Sequence, residues 1–261
     1  MPRFAANLNW MFPEWPLRER FAAAADAGFT AVELLVPYEL PADVIAAELA
    51  RQRLECVLLN APTGDRDAGE RGLAALDGRF DDFKASIALA LRYLKECNVR
   101  QLHVVAGIGE RSDPRAVAAY RKTIAWAAGQ LASEGIDVLL EPINRRDIPG
   151  FFLDDFGFAE NLIRELALPN VRLQFDIYHR QILHGDVVEG LQRLLPITGH
   201  IQIAGVPGRH EPDELCEQNY PFLFAELDRL GYSGWVSGEY RPRTTTLAGL
   251  GWFKPYAGRR G

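Results

Sequence analysis

The sequence predicts an α/β fold, a (β/α)8 barrel of the TIM type, as a single domain over residues 1–261. Eight short apolar segments recur along the chain, and segments with helical periodicity separate them. Strands that alternate with helices form parallel sheets, and eight such units in about 250 residues match a closed barrel better than an open sheet. The dinucleotide-binding pattern GxGxxG is also missing after the first strand.

The predicted strands are rich in Val, Ile, Leu and Phe. In chain order they are RFAAN (3–7), AVELL (31–35), CVLLN (56–60), QLHVVA (101–106), DVLLEP (137–142), VRLQFD (171–176), HIQIA (200–204) and WVSGEY (235–240). The first predicted helix, in PLRERFAAAADAGF, places Phe21, Ala24 and Ala25 on one side. Gly28 at its end is typical of a helix stop.

Composition narrows the functional classes. Hydrophobic residues make up 48% and charged residues 25%, which is ordinary for a soluble globular protein. The net charge of -6 gives no basic footprint for nucleic acid. No apolar run has the length of a membrane span or signal peptide, so we expect a cytoplasmic protein. The three cysteines have no CxxC spacing, and we assign them no role.

Two segments depart from the strand and helix alternation. Residues 61–80 form a long connection rich in glycine and charge, which we interpret as a lid over an active site. The tail after Gly251 is aromatic and then basic. It is expected to cover a barrel end, to contact a second subunit in a homo-oligomer, or to fray.

Polar residues occur at the carboxyl ends of four consecutive strands, where TIM barrels carry their chemistry. The fifth strand ends in Glu141, the sixth in Asp176 and the eighth in Glu239, while the seventh carries Gln202. Alternation of side chains directs all four toward one axis. Each of them alone would equally fit a strand cap or a partner for an arginine, so the prediction depends on the pattern.

Three carboxylates that converge in a barrel mouth repel each other unless they are protonated or neutralised by positive charge. A divalent cation would neutralise them, and an all-oxygen ligand set favours Mg²⁺ or Mn²⁺ over structural zinc. Gln202 would then be a neutral carbonyl ligand that keeps the site at three negative charges. This is the metal site that the sequence predicts.

Further polar residues surround this centre. His179 and Arg209 lie in the loops after the sixth and seventh strands, and His103 lies within the fourth. We expect them to bind oxygens of a small-molecule substrate. For His103 an ordinary buried role inside the barrel is the alternative, and for Arg209 with His210 it is a solvated loop.

Three more polar residues have simpler interpretations. His184 is expected to start a helix. Asn7 and Asn60 end the first and third strands, where they would touch substrate or cap a turn, and a turn is favoured.

Nearly the whole chain resembles the xylose-isomerase-like barrel superfamily and, within it, the hydroxypyruvate isomerase family. The motifs that carry this resemblance are FAANLNWMF, VELLVPYE, LLEPIN, LQFDIYHRQ, HIQIAGVPGRHEPDE and SGEYRP. The resemblance implies a metal held by Glu141, Asp176, Gln202 and Glu239, with the two glutamates exchanging protons with substrate. Related sugar epimerases usually have histidine where this chain has Gln202.

The implied reaction converts hydroxypyruvate to tartronate semialdehyde. One glutamate would remove the proton next to the carbonyl and the other would return it on the neighbouring carbon, through an ene-diolate. Arg209 would hold the substrate carboxylate. A 2-oxo-tetronate isomerase or a sugar epimerase on the same site is the alternative, and a metal-dependent phosphodiesterase is a weaker one because the chain has only five histidines.

Overall fold

The computed structural model describes residues 1–257. Eight parallel strands form a closed barrel in sequence order. They are β1 (Arg3–Asn7), β2 (Ala31–Leu34), β3 (Glu55–Asn60), β4 (Gln101–His103), β5 (Asp137–Leu140), β6 (Val171–Asp176), β7 (Thr198–Ile203) and β8 (Trp235–Gly238). The predicted fold class is confirmed.

The barrel closes because the first strand pairs with the last, with Ala6 opposite Gly238. Five strands, β2, β4, β5, β7 and β8, are shorter at their carboxyl ends than predicted. The apolar run of the fourth strand continues to Ala106, but this residue pairs antiparallel with Gly72 in the loop after β3. Apolar character therefore extended the prediction beyond the point where the backbone leaves the parallel ladder.

Helices follow the strands and cover the outside of the barrel. They are α1 (Leu17–Asp26), α2 (Ala42–Gln52), α3 (Phe80–Glu96), α4 (Pro114–Ala132), α5 (Phe156–Leu166), α6 (Ile177–Leu183), α7 (Val187–Leu194), α8 (Tyr220–Arg229) and α9 (Thr246–Gly249). Along the described part of the chain, no helix has the length and apolar character needed to cross a membrane.

Local sequence explains where several helices begin and end. Phe21 and Ala24 of α1 are buried, and Gly28 follows the helix with a φ of 96°, as predicted for a helix stop. Asp155 begins α5 by accepting a hydrogen bond from the backbone N–H of Phe158 at 2.7 Å. The prediction for His184 is wrong, because this residue closes α6 after Leu183 instead of starting a helix.

The barrel interior has an apolar layer and a polar layer. Five strand residues form a small apolar cluster, which are Ala5, Ala31, Val57, Leu58 and Leu139. Other strand residues are polar and fully buried, and these are Glu33, Gln174, His200, Gln202 and Ser237. A polar layer inside a barrel requires internal hydrogen-bond partners, because no bulk water reaches it.

The aromatic tail packs onto the outside of the barrel. The Phe253 ring stacks on Phe29 with 3.9 Å between ring centroids, and Trp252 meets Phe4 of β1 at 5.4 Å. Of the three outcomes expected for the tail, coverage of the barrel matches this packing along its aromatic part. Its last basic residues, at 258–261, lie outside the described residues.

Candidate active site

A cavity of about 390 Å³ opens at the carboxyl ends of the strands. Its polar and charged lining includes Asn60, Arg66, Arg71, His103, Glu141, His179, Arg209 and Glu239. Both predicted catalytic glutamates and all three predicted substrate-binding residues therefore face one small space. The cavity lies at the carboxyl ends of the strands, which is where TIM barrels carry their active sites.

Two carboxyl groups lie at or near this cavity, since Glu141 lines it and Asp176 is buried close to the lining residues His179 and Arg209. Glu141 directly follows β5, and its Oε1 is buried without a hydrogen-bond partner among the described residues. Asp176 ends β6 and begins α6, where its Oδ1 accepts a hydrogen bond from the backbone N–H of Tyr178 at 2.8 Å. The helix start fixes one oxygen of Asp176 and leaves Oδ2 facing the other charged groups.

Burial shapes the ionisation of these carboxyls. It raises the pKa of Glu141 well above the ordinary value, and the charges of Glu239 and Asp176 add to the effect. Burial raises the pKa of Glu239 to about 8, against the opposing influence of Arg209. Asp176 rises less, to a pKa of about 6, because Arg209 and two backbone N–H groups favour its charged form.

Arg209 is the main positive charge among these acids. Its Nη2 donates to Glu239 Oε1 at 2.8 Å and to Asp176 Oδ2 at 3.3 Å, while Nη1 donates to Asp147 Oδ2 at 3.2 Å. The guanidinium also lies 4.7 Å from the ring centroid of Trp10. The solvated-loop alternative is thus wrong for Arg209, which is buried, whereas half-exposed His210 has its Nδ1 2.9 Å from the backbone carbonyl oxygen of Arg241 after β8.

His179 is held in one tautomer by Asn144. The side-chain Nδ2 of Asn144 lies 2.7 Å from His179 Nδ1, and its Oδ1 accepts from the backbone N–H of Asp147, which fixes the amide orientation. His179 Nδ1 must therefore accept, and in the neutral ring the proton is on Nε2. This Nε2 lies 3.5 Å from Asp176 Oδ2 and 3.8 Å from Glu141 Oε1.

His103 is the last residue of β4, not a mid-strand residue as the longer predicted strand implied. Its Nδ1 lies 3.4 Å from Glu141 Oε2. Burial lowers the pKa of His103 to about 3, so the ring is neutral at physiological pH. Neither ring nitrogen has a hydrogen-bond partner within residues 1–257, which leaves both free for a substrate atom.

Gln202 lies in the polar layer directly beneath the cavity. Its Oε1 accepts a hydrogen bond from Gln174 Nε2 at 2.6 Å, and its Nε2 donates to Glu33 Oε1 at 2.8 Å. A carbonyl oxygen has two lone pairs, so Oε1 keeps one acceptor position. Gln202 is paired with Asp176 in the sheet register, which places it beside the predicted ligands.

Glu33 orients this layer, and the sequence did not reveal its role. Its Oε1 also accepts from Asn7 Nδ2 at 2.7 Å, and its Oε2 lies 2.7 Å from His200 Nε2. All these partners are buried. In the segment AVELL, Glu33 looks like an exposed residue of an alternating strand, so only the polar His200 and Gln202 on a distant strand give a signal for it.

The asparagines at strand ends behave differently from each other. Asn7 Oδ1 accepts from the backbone N–H groups of Asn9 and Trp10 at 3.0 and 3.3 Å, which confirms the predicted turn. Asn60 Oδ1 is buried without a partner in the described chain, so the turn prediction is wrong for this residue. Asn60 lines the cavity instead and keeps an acceptor for substrate.

The donor set fits a divalent cation. Glu141, Asp176 and Glu239 are three acidic groups beside the one positive charge of Arg209, and Glu141 Oε1 has no partner among the described residues, so a bound cation would favour their charged forms. Glu141, Asp176 and His179 each have a potential ligand atom within 4.8 Å of the others. However, the proton on His179 Nε2 makes that atom a donor, which supports oxygen ligands and leaves His179 for substrate.

A family model described as the xylose isomerase-like TIM barrel matches residues 21–256. The chain belongs to this family. The resemblance inferred from the sequence motifs is therefore confirmed, together with the barrel that it implied.

Relatives within the family have isomerase names. The chain is 50% identical to the 2-oxo-tetronate isomerase of Cupriavidus necator, over 99% of this chain and 100% of the relative. It is 39% identical to the hydroxypyruvate isomerase of Escherichia coli, over 98% of this chain and 100% of the relative. These names agree with the predicted enzyme class.

A solved structure shares the whole architecture. The crystal structure titled AP endonuclease, family 2, from Brucella melitensis has a TM-score of 0.95 and 46% identity, covering 98% of this chain and 100% of that chain. The 3-keto-D-glucoside 4-epimerase of E. coli has a TM-score of 0.74 at 21% identity, covering 98% and 100% of the two chains, which shows a shared fold alone.

Proposed function

We propose that this protein is a metal-dependent isomerase of a small hydroxy-oxo acid. The first candidate reaction is the conversion of hydroxypyruvate to tartronate semialdehyde. One observation carries the proposal. Glu141 and Glu239 are two buried carboxyls that face the same small cavity, and burial raises the pKa of both. With a pKa of about 8, the Glu239 carboxyl can both accept and donate a proton at physiological pH.

The proposed cation is Mg²⁺ or Mn²⁺, held by Glu141, Asp176, Gln202 and Glu239. Its support is the excess of negative charge, the partnerless Glu141 Oε1 and the open acceptor position on Gln202 Oε1. When bound, such a cation would supply positive charge next to the substrate oxygens on which negative charge develops during proton abstraction.

The residues of the chain then have distinct tasks. One of Glu141 and Glu239 takes the proton from the carbon next to the carbonyl, and the other delivers a proton to the neighbouring carbon. His179 donates from Nε2 to a substrate oxygen, because Asn144 holds its other nitrogen as an acceptor. Arg209, already against Glu239 and Asp176, is proposed to bind substrate oxygens beside the reacting carbons.

A four-carbon substrate is the second candidate. The relative from C. necator, at 50% identity, has the name 2-oxo-tetronate isomerase. This acid has the same arrangement of a carboxylate, a carbonyl and a neighbouring hydroxyl carbon, so the same residues can act on it. A cavity of about 390 Å³ has space for either acid.

Proton NMR in D2O tests the proposal. Metal-stripped protein receives Mg²⁺, Mn²⁺ or no metal, and then hydroxypyruvate or 2-oxo-tetronate. We expect isomer formation that depends on added metal, with deuterium appearing on the carbon that receives the proton. The faster reaction identifies the preferred acid.

A failure of both acids to exchange or isomerise with either metal would overturn the proposal. The same preparations are also incubated with an abasic DNA duplex, since one similar structure has an endonuclease title. Metal-dependent cleavage of this duplex would replace isomerisation with phosphodiester hydrolysis as the function of the site.

A further inference from the structure

The loop between β3 and α3 is fixed against the fourth strand. Gly72 pairs with Ala106, and its N–H donates to the carbonyl of Thr63 at 2.9 Å. Gly72 has a φ of 127°, and a Cβ there would lie 2.4 Å from the carbonyl oxygen of Val105. Only glycine permits this approach, so the backbone beside residue 72 has a defined position at the cavity.

Arg71 is the residue next to this fixed point, and it lines the cavity. Its Nη1 donates to the carbonyls of Glu70 and Arg66 at 2.8 and 3.1 Å. These are neutral acceptors, and no carboxylate in residues 1–257 forms an ion pair with Arg71. Its positive charge is therefore oriented toward the cavity without being neutralised.

The nearest acid in sequence does not neutralise Arg71. The Glu70 carboxylate pairs with Arg79 and also accepts from the backbone N–H of Asp65 at 2.6 Å. These bonds lower the pKa of Glu70, so its carboxylate is charged and forms its ion pair with Arg79. The arrangement leaves a guanidinium with free donors in a half-buried position.

Arg209, unlike Arg71, forms ion pairs with acidic side chains. The Arg209 guanidinium already contacts Glu239, Asp176 and Asp147, so its donors are engaged by acidic side chains. An incoming carboxylate would compete there with these acidic groups, whereas no acidic group in residues 1–257 is paired to Arg71. Glu39 also lines the cavity, but no ion pair links it to Arg71 in the described residues.

We propose that Arg71 binds the substrate carboxylate and so determines the preference for 2-oxo acids over uncharged sugars. The assignment rests on the proposed isomerase function and moves the carboxylate from Arg209, the residue first predicted for it, to the loop. Arg209 then contacts the oxygens at the reacting carbons. A planar guanidinium offers two parallel donors to a carboxylate, which a point charge does not.

The loop offers a matched control in Arg66. This residue lines the same cavity and carries the same charge, but it is exposed, whereas Arg71 is half-buried. Arg66→Gln therefore changes the loop charge as much as Arg71→Gln does. Arg71→Lys keeps the charge and removes the planar pair of donors.

The experiment measures kcat and KM for the better 2-oxo acid with Mn²⁺-loaded wild type and the three variants. We expect Arg71→Gln to lower kcat/KM by about 10- to 100-fold, mainly through KM, because one charge-assisted contact is lost. Arg71→Lys should recover part of this loss. Arg66→Gln should stay within about threefold of wild type.

Calorimetric binding of erythronate, a four-carbon hydroxy acid, separates this inference from the proposed function. If the wild type binds erythronate but isomerises neither acid, the isomerase proposal fails while the effect of Arg71→Gln on binding still tests the inference. Equal effects of Arg71→Gln and Arg66→Gln, or no effect of Arg71→Gln, would overturn it. Failure of the wild type to bind erythronate would overturn it as well.

Discussion

The two ends of the barrel carry cavities of different size and different chemistry. The cavity at the amino ends of the strands has about 640 Å³, compared with about 390 Å³ at the carboxyl ends. The larger one is lined by strand starts and helix ends such as Arg3, Glu55 and Trp235. Size alone would therefore select the wrong end.

The difference lies in whether polar groups have partners. At the amino end, Arg3 donates to the carbonyl of Ser233 at 2.7 Å and lies over the Trp235 ring, and Trp235 Nε1 donates to Glu55. At the carboxyl end, His103 and Glu141 keep buried polar atoms without partners in residues 1–257. Unpaired buried polarity is costly to stability, so it supports the proposal that the carboxyl end binds a ligand.

The largest effect should come from removing a proton carrier. Glu141→Gln and Glu239→Gln keep the side-chain shape but cannot accept a proton, so we expect kcat to fall at least about 10³-fold. Steady-state isomerisation assays with saturating Mn²⁺ measure this. Glu55→Gln, the same change at the amino-end cavity, should leave kcat within about twofold.

Circular dichroism melting of these variants shows whether the fold survives. Wild-type turnover in Glu141→Gln or Glu239→Gln would remove that residue from the mechanism. A large loss in Glu55→Gln would contradict the contrast between the two ends.

A smaller effect should follow from Glu33→Gln beneath the site. The amide loses one acceptor toward Gln202 or His200, so the predicted metal ligand is less well oriented. We expect Mn²⁺ affinity, measured by calorimetry, to fall about 10- to 100-fold. Glu48→Gln is the matched control, because Glu48 is a buried carboxylate that pairs with two arginines on the outside of the barrel.

Both glutamine variants should lose stability, but only Glu33→Gln should lose metal affinity. Rescue of its activity by raised Mn²⁺ concentration would support an indirect, orienting role. Unchanged affinity in Glu33→Gln would show that the polar layer does not position the ligands.

The smallest effect is a pH dependence of stability. Because the folded pKa of Glu239 is raised to about 8, the native metal-free protein holds more protons than the unfolded chain above pH 4.3. Its stability must fall as the pH rises toward 8. Between about pH 7.5 and 8 the His103 and His179 rings are neutral in the folded state and almost entirely neutral in the unfolded chain, so the carboxyls dominate this window.

We expect the Tm of metal-free protein to fall by about 2 to 4 °C per pH unit over this range. Excess Mn²⁺ should remove most of the slope, because the cation favours the charged carboxyls. Differential scanning calorimetry in both conditions tests this, and a Tm that rises with pH without metal would contradict the charge balance described for the site.

The sequence predicted the barrel and the residues that face its mouth, because both depend on local patterns. Short apolar segments reveal strands, and polar residues at their carboxyl ends reveal Glu141, Asp176 and Glu239. The carboxyl ends of the strands were predicted less accurately. An apolar residue such as Val105 continues the apolar pattern of the fourth strand after the backbone has left the parallel sheet at His103. The prediction that His184 starts a helix was wrong, because no cap pattern in the sequence indicated that α6 ends there.

Long-range partners could not be predicted in the same way. The pairing of Glu33 with His200, the Asn144 contact that sets the His179 tautomer, and the ion pairs of Arg209 join residues far apart in the chain. Their contributions depend on burial and orientation, which the alternation of residue types does not encode. These are also the contacts that decide which side chains remain free for substrate.

The hydrogen bond between His200 Nε2 and the Glu33 carboxylate also has a consequence for the order of events during protein synthesis. The two residues are 167 positions apart, so a ribosome that adds about 5 to 20 residues per second needs on the order of ten seconds or more to supply the second partner. Until then, Asn7 is the partner that is already present for the Glu33 carboxylate. Burying this carboxylate without its other partners costs free energy, so it is more stable in contact with water. The nascent chain thus gains from keeping its interior open until the seventh strand has been made.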